Sequence, residues 1–277
     1  MMIKKVIRAL PTVFAVVTSG FFLLPIILVV FNSLMSSGEV NSLYAASNDY
    51  AVLRFIPKMT TIEQYYRVMI EDPAYLIVFW NSMRMVVPIV AGQVFFASLA
   101  AYALSCFEFK GREVIFFIYV AVMLMPSQAT IVPNFIMVRR LGLIDTFQAV
   151  IFPGMFGAFG VVLLRQFMLA VPREYIEAAR LEGSGFIRVL FQIVIPLVKG
   201  GFVSVIILCF VDNWGMVETP LVFLSDKTMS PISVFLSGAG MSGELFAASV
   251  LAMTPPLLLF LVGRDELVKG IELSGLK

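Results

Sequence analysis

Long apolar runs alternate with short polar stretches along this chain, and the run lengths set the first expectation. Runs at 10–34, 76–106, 114–132, 144–168, 197–221 and 243–263 each supply about the 20 residues that an α-helix needs to cross a bilayer core. The pattern predicts an all-α polytopic membrane protein with six transmembrane helices. Lys4, Lys5 and Arg8 precede the first run and place the N-terminus in the cytoplasm. That run is too long for a signal peptide and lacks a clear cleavage site, so it reads as an uncleaved span.

The polar stretches predict the connections. Residues 35–75 lie outside. There Thr60, with Glu63 three positions on, reads as a capping box opening an amphipathic helix over 62–70, ended near Pro73. Residues 108–113 form a charged turn, 134–141 a short outer helix closed by Gly142, and 225–241 a second outer stretch. Gly154, Gly157 and Gly160 in the fourth run read as helix packing, and Pro255-Pro256 as a kink in the sixth. The organisation is a cytoplasmic N-terminus at 1–9, a six-span transmembrane domain at 10–263 and a cytoplasmic tail at 264–277. Of the 20 Lys and Arg residues, Arg54, Lys58, Arg67, Arg84, Arg139, Arg140 and Lys227 fall outside and the rest inside. That bias supports an N-in, C-in arrangement.

One stretch, 174–196, is far more polar and helix-prone than its surroundings. Glu174, Glu177, Arg180 and Glu182 sit among good helix formers, with Ala178 and Ala179 between them. Glu177 and Arg180 are three apart and share a face. Gly183 fits a helix C-terminus that needs a left-handed residue. A second helix over 186–194 is expected to be stopped by Pro196. The paired alanines give a smooth packing surface, and the carboxylate beside them can meet a basic partner. A solvated helical loop with no partner is the competing reading.

Composition sharpens the class. Hydrophobic residues make up 60% of 277, charged residues 14%, and the mean hydropathy is +0.96. A soluble domain carries about 25% charged residues. The net charge of +2 gives no pointer to nucleic acid, and none is expected as a partner. Cys106 and Cys209 lie at or inside spans, so no disulfide framework is expected. With no His in the chain, His-based metal sites and catalytic triads drop out, and neither a metal site nor a catalytic residue is expected.

The polar groups inside the runs are candidates for a substrate pathway. Asp212, Asn213 and Trp214 sit in the outer half of the fifth run, with Glu218 one and a half turns later. Carboxylates at depth are costly and face a wet cavity or a partner. An amide beside an indole suits a sugar, since the one bonds hydroxyls and the other stacks on the apolar face of a pyranose. A helix-pinning role for Asp212 stays open. Asn81, Gln93 and Gln128 could share that cavity, with packing the preferred reading for each.

The spacing Glu177-Ala178-Ala179, three residues, Gly183, nine residues, Ile193, one residue, Ile195-Pro196 closely resembles the EAA-x3-G-x9-I-x-L-P loop of bacterial ABC importer permeases. Ile195 replaces its Leu. The whole chain resembles the second permease of carbohydrate-uptake importers of the maltose-transporter type. Matching features are Asn81-Ser82, Leu141-Gly142-Leu143, Pro220-Leu221 and the tail from Lys269-Gly270 to Ser274-Gly275-Leu276-Lys277. Asn213-Trp214 inverts that family's Trp-Asn order, which puts the role of 212–214 in doubt.

The resemblance implies a coupling loop at 169–196 between helices 4 and 5, whose residues Glu174, Glu177, Ala178, Ala179, Gly183, Ile193 and Pro196 engage an ATPase. It also implies a different second permease, two ATP-binding subunits, an extracytoplasmic solute-binding protein and a lipid bilayer around them. The chain carries no GxxxxGK[ST], so ATP and Mg belong to the partner subunits and this chain binds no cofactor. The expected location is the bacterial inner membrane. An importer permease for a peptide, glycerol phosphate or polyamine is the nearest alternative; an intramembrane enzyme or passive channel lies further off.

Overall fold

A computed structural model describes residues 2–44 and 56–275. The expectations for Arg54 and for Leu276-Lys277 fall outside the described residues. Among the described residues every element is helical, apart from an isolated bridge between Met35 and Thr60. Four stretches are long and apolar enough to cross a membrane: Thr12–Ser33, Ala74–Cys106, Phe147–Met168 and Gly243–Val268. Two bent helix pairs raise the number to six if each counts as one span.

The chain divides into two compact units. The first comprises Met1–Ile77 and Leu236–Thr254. Its first helix, α1 (Met2–Ser33), has 32 residues and rises about 48 Å, more than the roughly 30 Å core. After it, α2 (Ser37–Tyr44) buries Val40 and Leu43 with Met35, against Tyr44 and Phe246. The next helix, α3 (Glu63–Tyr66), continues as a π-turn over Arg67–Glu71. Its start differs from the expected capping box. Thr61, not Thr60, accepts the Glu63 N–H at 3.1 Å, because Thr60 is committed to the bridge with Met35. The Glu63 carboxylate turns instead to Arg67, at 2.5 Å.

The second unit comprises Val78–Phe235 and Pro255–Lys277. Helix α4 (Ala74–Cys106) is followed by α5 (Arg112–Met123) and α6 (Ser127–Arg140). The expected third span at 114–132 is shorter and broken. Pro126 disfavours helix at the residue before it, so α5 ends and the chain turns by 100° into α6. With 12 residues α5 rises about 18 Å, and the outer helix expected at 134–141 begins instead at Ser127 and takes Pro133 into its interior. Gly142 does close α6, at φ +68°.

The fourth run starts at Phe147 rather than 144 and is split into α7 (Phe147–Gly154) and α8 (Ala158–Met168). Its three glycines pack as expected. A Cβ on Gly154, Gly157 or Gly160 would approach Ile89, Gln93 or Ala97 of α4 to 3.0, 2.8 and 3.0 Å. Positions 89, 93 and 97 recur every four residues and form one stripe of α4. The interior beside this seam joins Met85 and Ile89 to Val138, Ala149, Val150, Phe223 and Leu224.

Beyond it come α9 (Arg173–Leu181) and α10 (Phe186–Val189), which runs through a π-turn at Leu190–Val194 into α11 (Ile195–Leu197). Pro196 does not stop this helix: it sits in the first turn of α11, where a missing N–H is tolerated, and the break falls two residues on, at Val198. There the chain bends by 84° into α12 (Lys199–Trp214). The expected fifth span at 197–221 ends early, because Gly215 closes α12 and Glu218 opens a separate α13 (Glu218–Phe223). After α14 (Ile232–Gly238), α15 (Gly243–Gly275) passes through Pro255-Pro256 and beyond residue 263 without interruption. The first part of the expected tail thus continues the last span, and Lys199 of α12 pairs with Glu266 at 3.0 Å.

Candidate functional site

The elbow over 173–197 is built as its sequence dictates, with two differences: the place of Pro196 and the paired alanines. Pro172 precedes α9 in extended conformation, Glu174 lies in the first turn and Arg180 in the last, each suiting the helix dipole. Ile176 and Ala179 are buried, whereas Glu174, Glu177 and Ala178 are exposed. The consecutive alanines therefore do not form one surface: about 100° apart on the helix, Ala179 packs inward and Ala178 faces out. Gly183 holds φ +82°. Its N–H donates to the Arg180 carbonyl at 3.0 Å, and the Ser184 N–H donates to the Ala179 carbonyl at 2.9 Å. That paired closure is a Schellman turn, and it needs the left-handed residue that glycine supplies. Leu181, 91% exposed, stands at the tip, with Tyr175 and Ile187 also exposed.

A second set of contacts fixes the elbow to the segment that joins α4 and α5. The Phe186 ring lies 4.7 Å from Tyr102 and 5.1 Å from Phe107. The Arg180 guanidinium sits over Phe107 at 4.7 Å. Arg173 pairs with Glu108 at 2.5 Å. The hydrogen bond and charge of Arg173 hold the Glu108 carboxyl below the usual carboxylate range and raise Arg173 in return. Both side chains are largely exposed, so the pair orients the elbow more than it stabilises it. Ile193 is half-buried within the π-turn and Pro196 is exposed.

The in-span polar residues divide into two groups. Gln93 and Asp212 line a cavity of about 800 Å³, together with Thr130, Asn134 and a largely apolar wall. Asp212, Asn213 and Glu218 line a smaller one of about 270 Å³, with Ser127, Asn134 and Thr219. Asn134, Pro153 and Asp212 belong to both. Neither lining includes a Lys or Arg. Glu218 accepts two hydrogen bonds from the Gln128 amide, at 2.8 and 3.1 Å. The Gln93 amide donates to the Gly154 carbonyl at 2.8 Å, where α7 ends, while its own carbonyl oxygen is buried and unpartnered.

Trp214 and Asn81 are placed elsewhere. The buried Trp214 ring stacks on Phe210 at 5.4 Å and meets Phe79 edge-on at 5.8 Å. The Asn81 amide donates to the Thr228 and Ser230 carbonyls, at 2.7 and 3.2 Å, and pins the loop after α13. Asn213 donates to the Cys209 carbonyl of its own helix at 2.7 Å. Asn134 and Thr130, which the polar-residue reading passed over, sit in the cavity wall because Pro126 turns α6 aside.

Comparisons with known proteins bear on this geometry. Residues 93–271 match the family described as binding-protein-dependent transport system inner membrane component. The chain is 29% identical over 278 residues to the arabinooligosaccharides transport system permease protein AraQ of Bacillus subtilis (strain 168), covering 99% of this chain and 97% of that protein. It is 30% identical over 198 residues to the sn-glycerol-3-phosphate transport system permease protein UgpE of Pectobacterium atrosepticum, covering 69% of this chain and 70% of that one. A solved structure described as a bacterial ABC transporter involved in the import of the acidic polysaccharide alginate superposes with a TM-score of 0.80 at 22% identity. That match covers 96% of this chain and 98% of the other, and it carries the fold.

Proposed function

Since the chain belongs to the family of binding-protein-dependent transport system inner membrane components, we propose that it forms half of the translocation pathway of an ATP-driven importer for a neutral oligosaccharide. The proposed topology has six spans, counting each bent pair as one, with both termini and the elbow in the cytoplasm of a bacterial inner membrane. Its partners are a different second permease, two ATP-binding subunits that hold ATP and Mg, and an extracytoplasmic solute-binding protein. Within this reading 1–9 is the N-terminus, 10–263 the permease domain and 264–277 a tail whose first residues extend the last helix.

The observation that carries the coupling role is the outward face of α9. Glu174, Glu177, Ala178 and Leu181 are exposed on a helix whose other side is anchored, and the Gly183 turn fixes where α10 leaves it. A rigid protrusion transmits a push, whereas a frayed loop absorbs it. Closure of the ATP-binding pair would draw the elbow inward and shift the pathway between inward- and outward-open states. A ligand biases that cycle only as far as it binds one state better than the other.

The observation that favours a neutral solute is the cavity wall around Asp212. Amide and hydroxyl groups suit sugar hydroxyls, and the two carboxylates oppose anions. A phosphate about 4 Å from Asp212 would meet repulsion of between about 1 and about 4 kcal/mol, depending on how wet the site is. Side chains that recognise phosphate are chiefly Arg and Lys, and neither lining contains a basic side chain. The arabinooligosaccharide permease is on this view the better guide to the substrate than the glycerol-phosphate one. Reconstitution of the complete transporter in proteoliposomes, with labelled arabino-oligosaccharide and glycerol 3-phosphate offered in parallel, tests the reading. ATP-dependent accumulation of the oligosaccharide is expected. Preference for glycerol 3-phosphate would overturn the substrate assignment, and no ATP-dependent uptake of any solute would overturn the importer itself.

A further inference from the structure

The chain buries a charged side chain that neither the elbow's outer face nor the cavity uses. Arg165 lies near the end of α8, eight residues before α9 begins, and is 5% exposed. Its Nε donates to the Leu104 carbonyl at 3.1 Å. One terminal nitrogen donates to both oxygens of Glu113, at 2.9 and 3.0 Å. The guanidinium stacks over the Phe116 ring at 3.8 Å. Arg112 meets Oε1 of the same carboxylate at 2.9 Å and also donates to the Phe107 carbonyl at 3.2 Å.

Both hydrogen-bond acceptors of Arg165 sit at helix ends. Leu104 is in the last turn of α4, where carbonyls lack intrahelical donors, and Glu113 is in the first turn of α5, where a carboxylate suits the dipole. One guanidinium thus joins the ends of α4, α5 and α8. Charge-assisted bonds of this kind are short and directional, and here the buried guanidinium reaches out to a largely exposed carboxylate. The exposed Arg173–Glu108 pair and the Phe186 cluster repeat the tie on the far side of Val171-Pro172.

We infer that Arg165 is a positioning residue that makes the elbow and the α4–α5 turn move as one body, so that motion delivered at α9 reaches three spans together. This inference rests on the importer reading above. Without such a link, a pull on α9 would be lost in the four-residue connection over 169–172. With it, the seam between α4 and the α7–α8 break, which borders the cavity, moves as a block.

The test places spin labels at Phe109 and Leu181, both exposed, in the full chain in nanodiscs and in the complete transporter. The wild-type distance should be single and unchanged between the nucleotide-free and the ATP–vanadate-trapped transporter. Arg165→Gln should broaden it already in the chain alone. In the transporter the same variant should cut the binding-protein stimulation of ATP hydrolysis by about tenfold while basal hydrolysis persists. Arg165→Lys, which keeps the charge but loses the planar fork, should fall between, and it decides the matter if Arg165→Gln does not fold. A wild-type distance that shifts on trapping, or an Arg165→Lys distribution and stimulation equal to wild type, would overturn the inference. The nanodisc arm depends on this chain alone, so a chain that captures no ATPase faults the importer reading and leaves the broadening to judge the link.

Discussion

The Gln128 amide donates to both carboxylate oxygens of Glu218, at 2.8 and 3.1 Å, so Glu218 enters the cavity wall already engaged. Asp212, shared by both cavities, has no hydrogen bond to its side chain among the described residues. The free carboxylate is the one expected to discriminate between solutes. Asp212→Asn should retain oligosaccharide uptake within about threefold, since an amide still bonds hydroxyls, whereas Asp212→Lys should lower it at least about tenfold and raise binding of anionic sugars. Competition by galacturonate oligomers against labelled neutral oligosaccharide measures this. Equal competition in wild type and Asp212→Lys would speak against a charge filter.

Charge reversal on the elbow should separate assembly from transport. Glu177 is exposed and only adds a charge attraction to Arg173 one turn away, so Glu177→Lys should leave insertion unchanged and lower thermal stability only slightly. Transport should fall at least about tenfold if the face docks an ATPase, as expected for loss of a charge pair at a buried interface. Uptake is compared with ATPase capture on the same membranes.

Gly183→Ala tests geometry rather than charge. A Cβ at φ +82° costs about 1–2 kcal/mol, and it acts on the turn alone because no atom lies within 4 Å of that position. The α9–α10 turn should loosen, with transport reduced and ATP hydrolysis less responsive to the binding protein. Hydrogen exchange at Ser184, whose N–H closes the turn, should rise in step.

The Glu108–Arg173 pair gives a signed pH effect. Arg173 lowers the folded-state pKa of Glu108, so the pair's contribution is present above the unfolded carboxylate value near 4.3 and is lost as pH falls through the lower folded value. As pH falls from 7 through the unfolded value and on through the lower folded one, the elbow of wild type should therefore lose protection that Glu108→Gln has already lost at pH 7. Proteolysis at the elbow across that range, compared between the two proteins, checks the sign.

Gln93 satisfies the Gly154 carbonyl at the break between α7 and α8. Gln93→Ala leaves that half-buried acceptor without its donor, at a cost of about 0.5–1.5 kcal/mol. The melting temperature in detergent should drop, and Gln93→Glu, which cannot donate when ionised, should not restore it.

Much of the elbow was legible because its signals are local. A left-handed turn wants glycine wherever it occurs, and Gly183 announced the end of α9 without tertiary help. The breaks were harder. Pro126 and Pro133 are both prolines in one apolar run, yet Pro126 ends a helix and Pro133 lies inside one. Which of the two yields depends on packing that spacing does not encode. Pro196 misled for the same reason, since a proline near a bend can sit in a first turn as readily as it can end a helix. Trp214 looked like a sugar platform by type, but its ring faces Phe210 and Phe79, residues far apart from each other in the chain. Arg165 was counted only as one more basic residue, because its partners Leu104 and Glu113 lie 61 and 52 positions away.

The three-glycine seam has a further consequence, for descent rather than for mechanics. Adding a methyl group at 154, 157 or 160 demands a concession from 89, 93 or 97, so neither helix can drift alone there. Among relatives as divergent as those sharing under a third of their residues, substitutions at these six positions should arrive in matched pairs, smaller opposite larger. Such pairing would let evolutionary history report on a helix contact in relatives whose structures have never been determined.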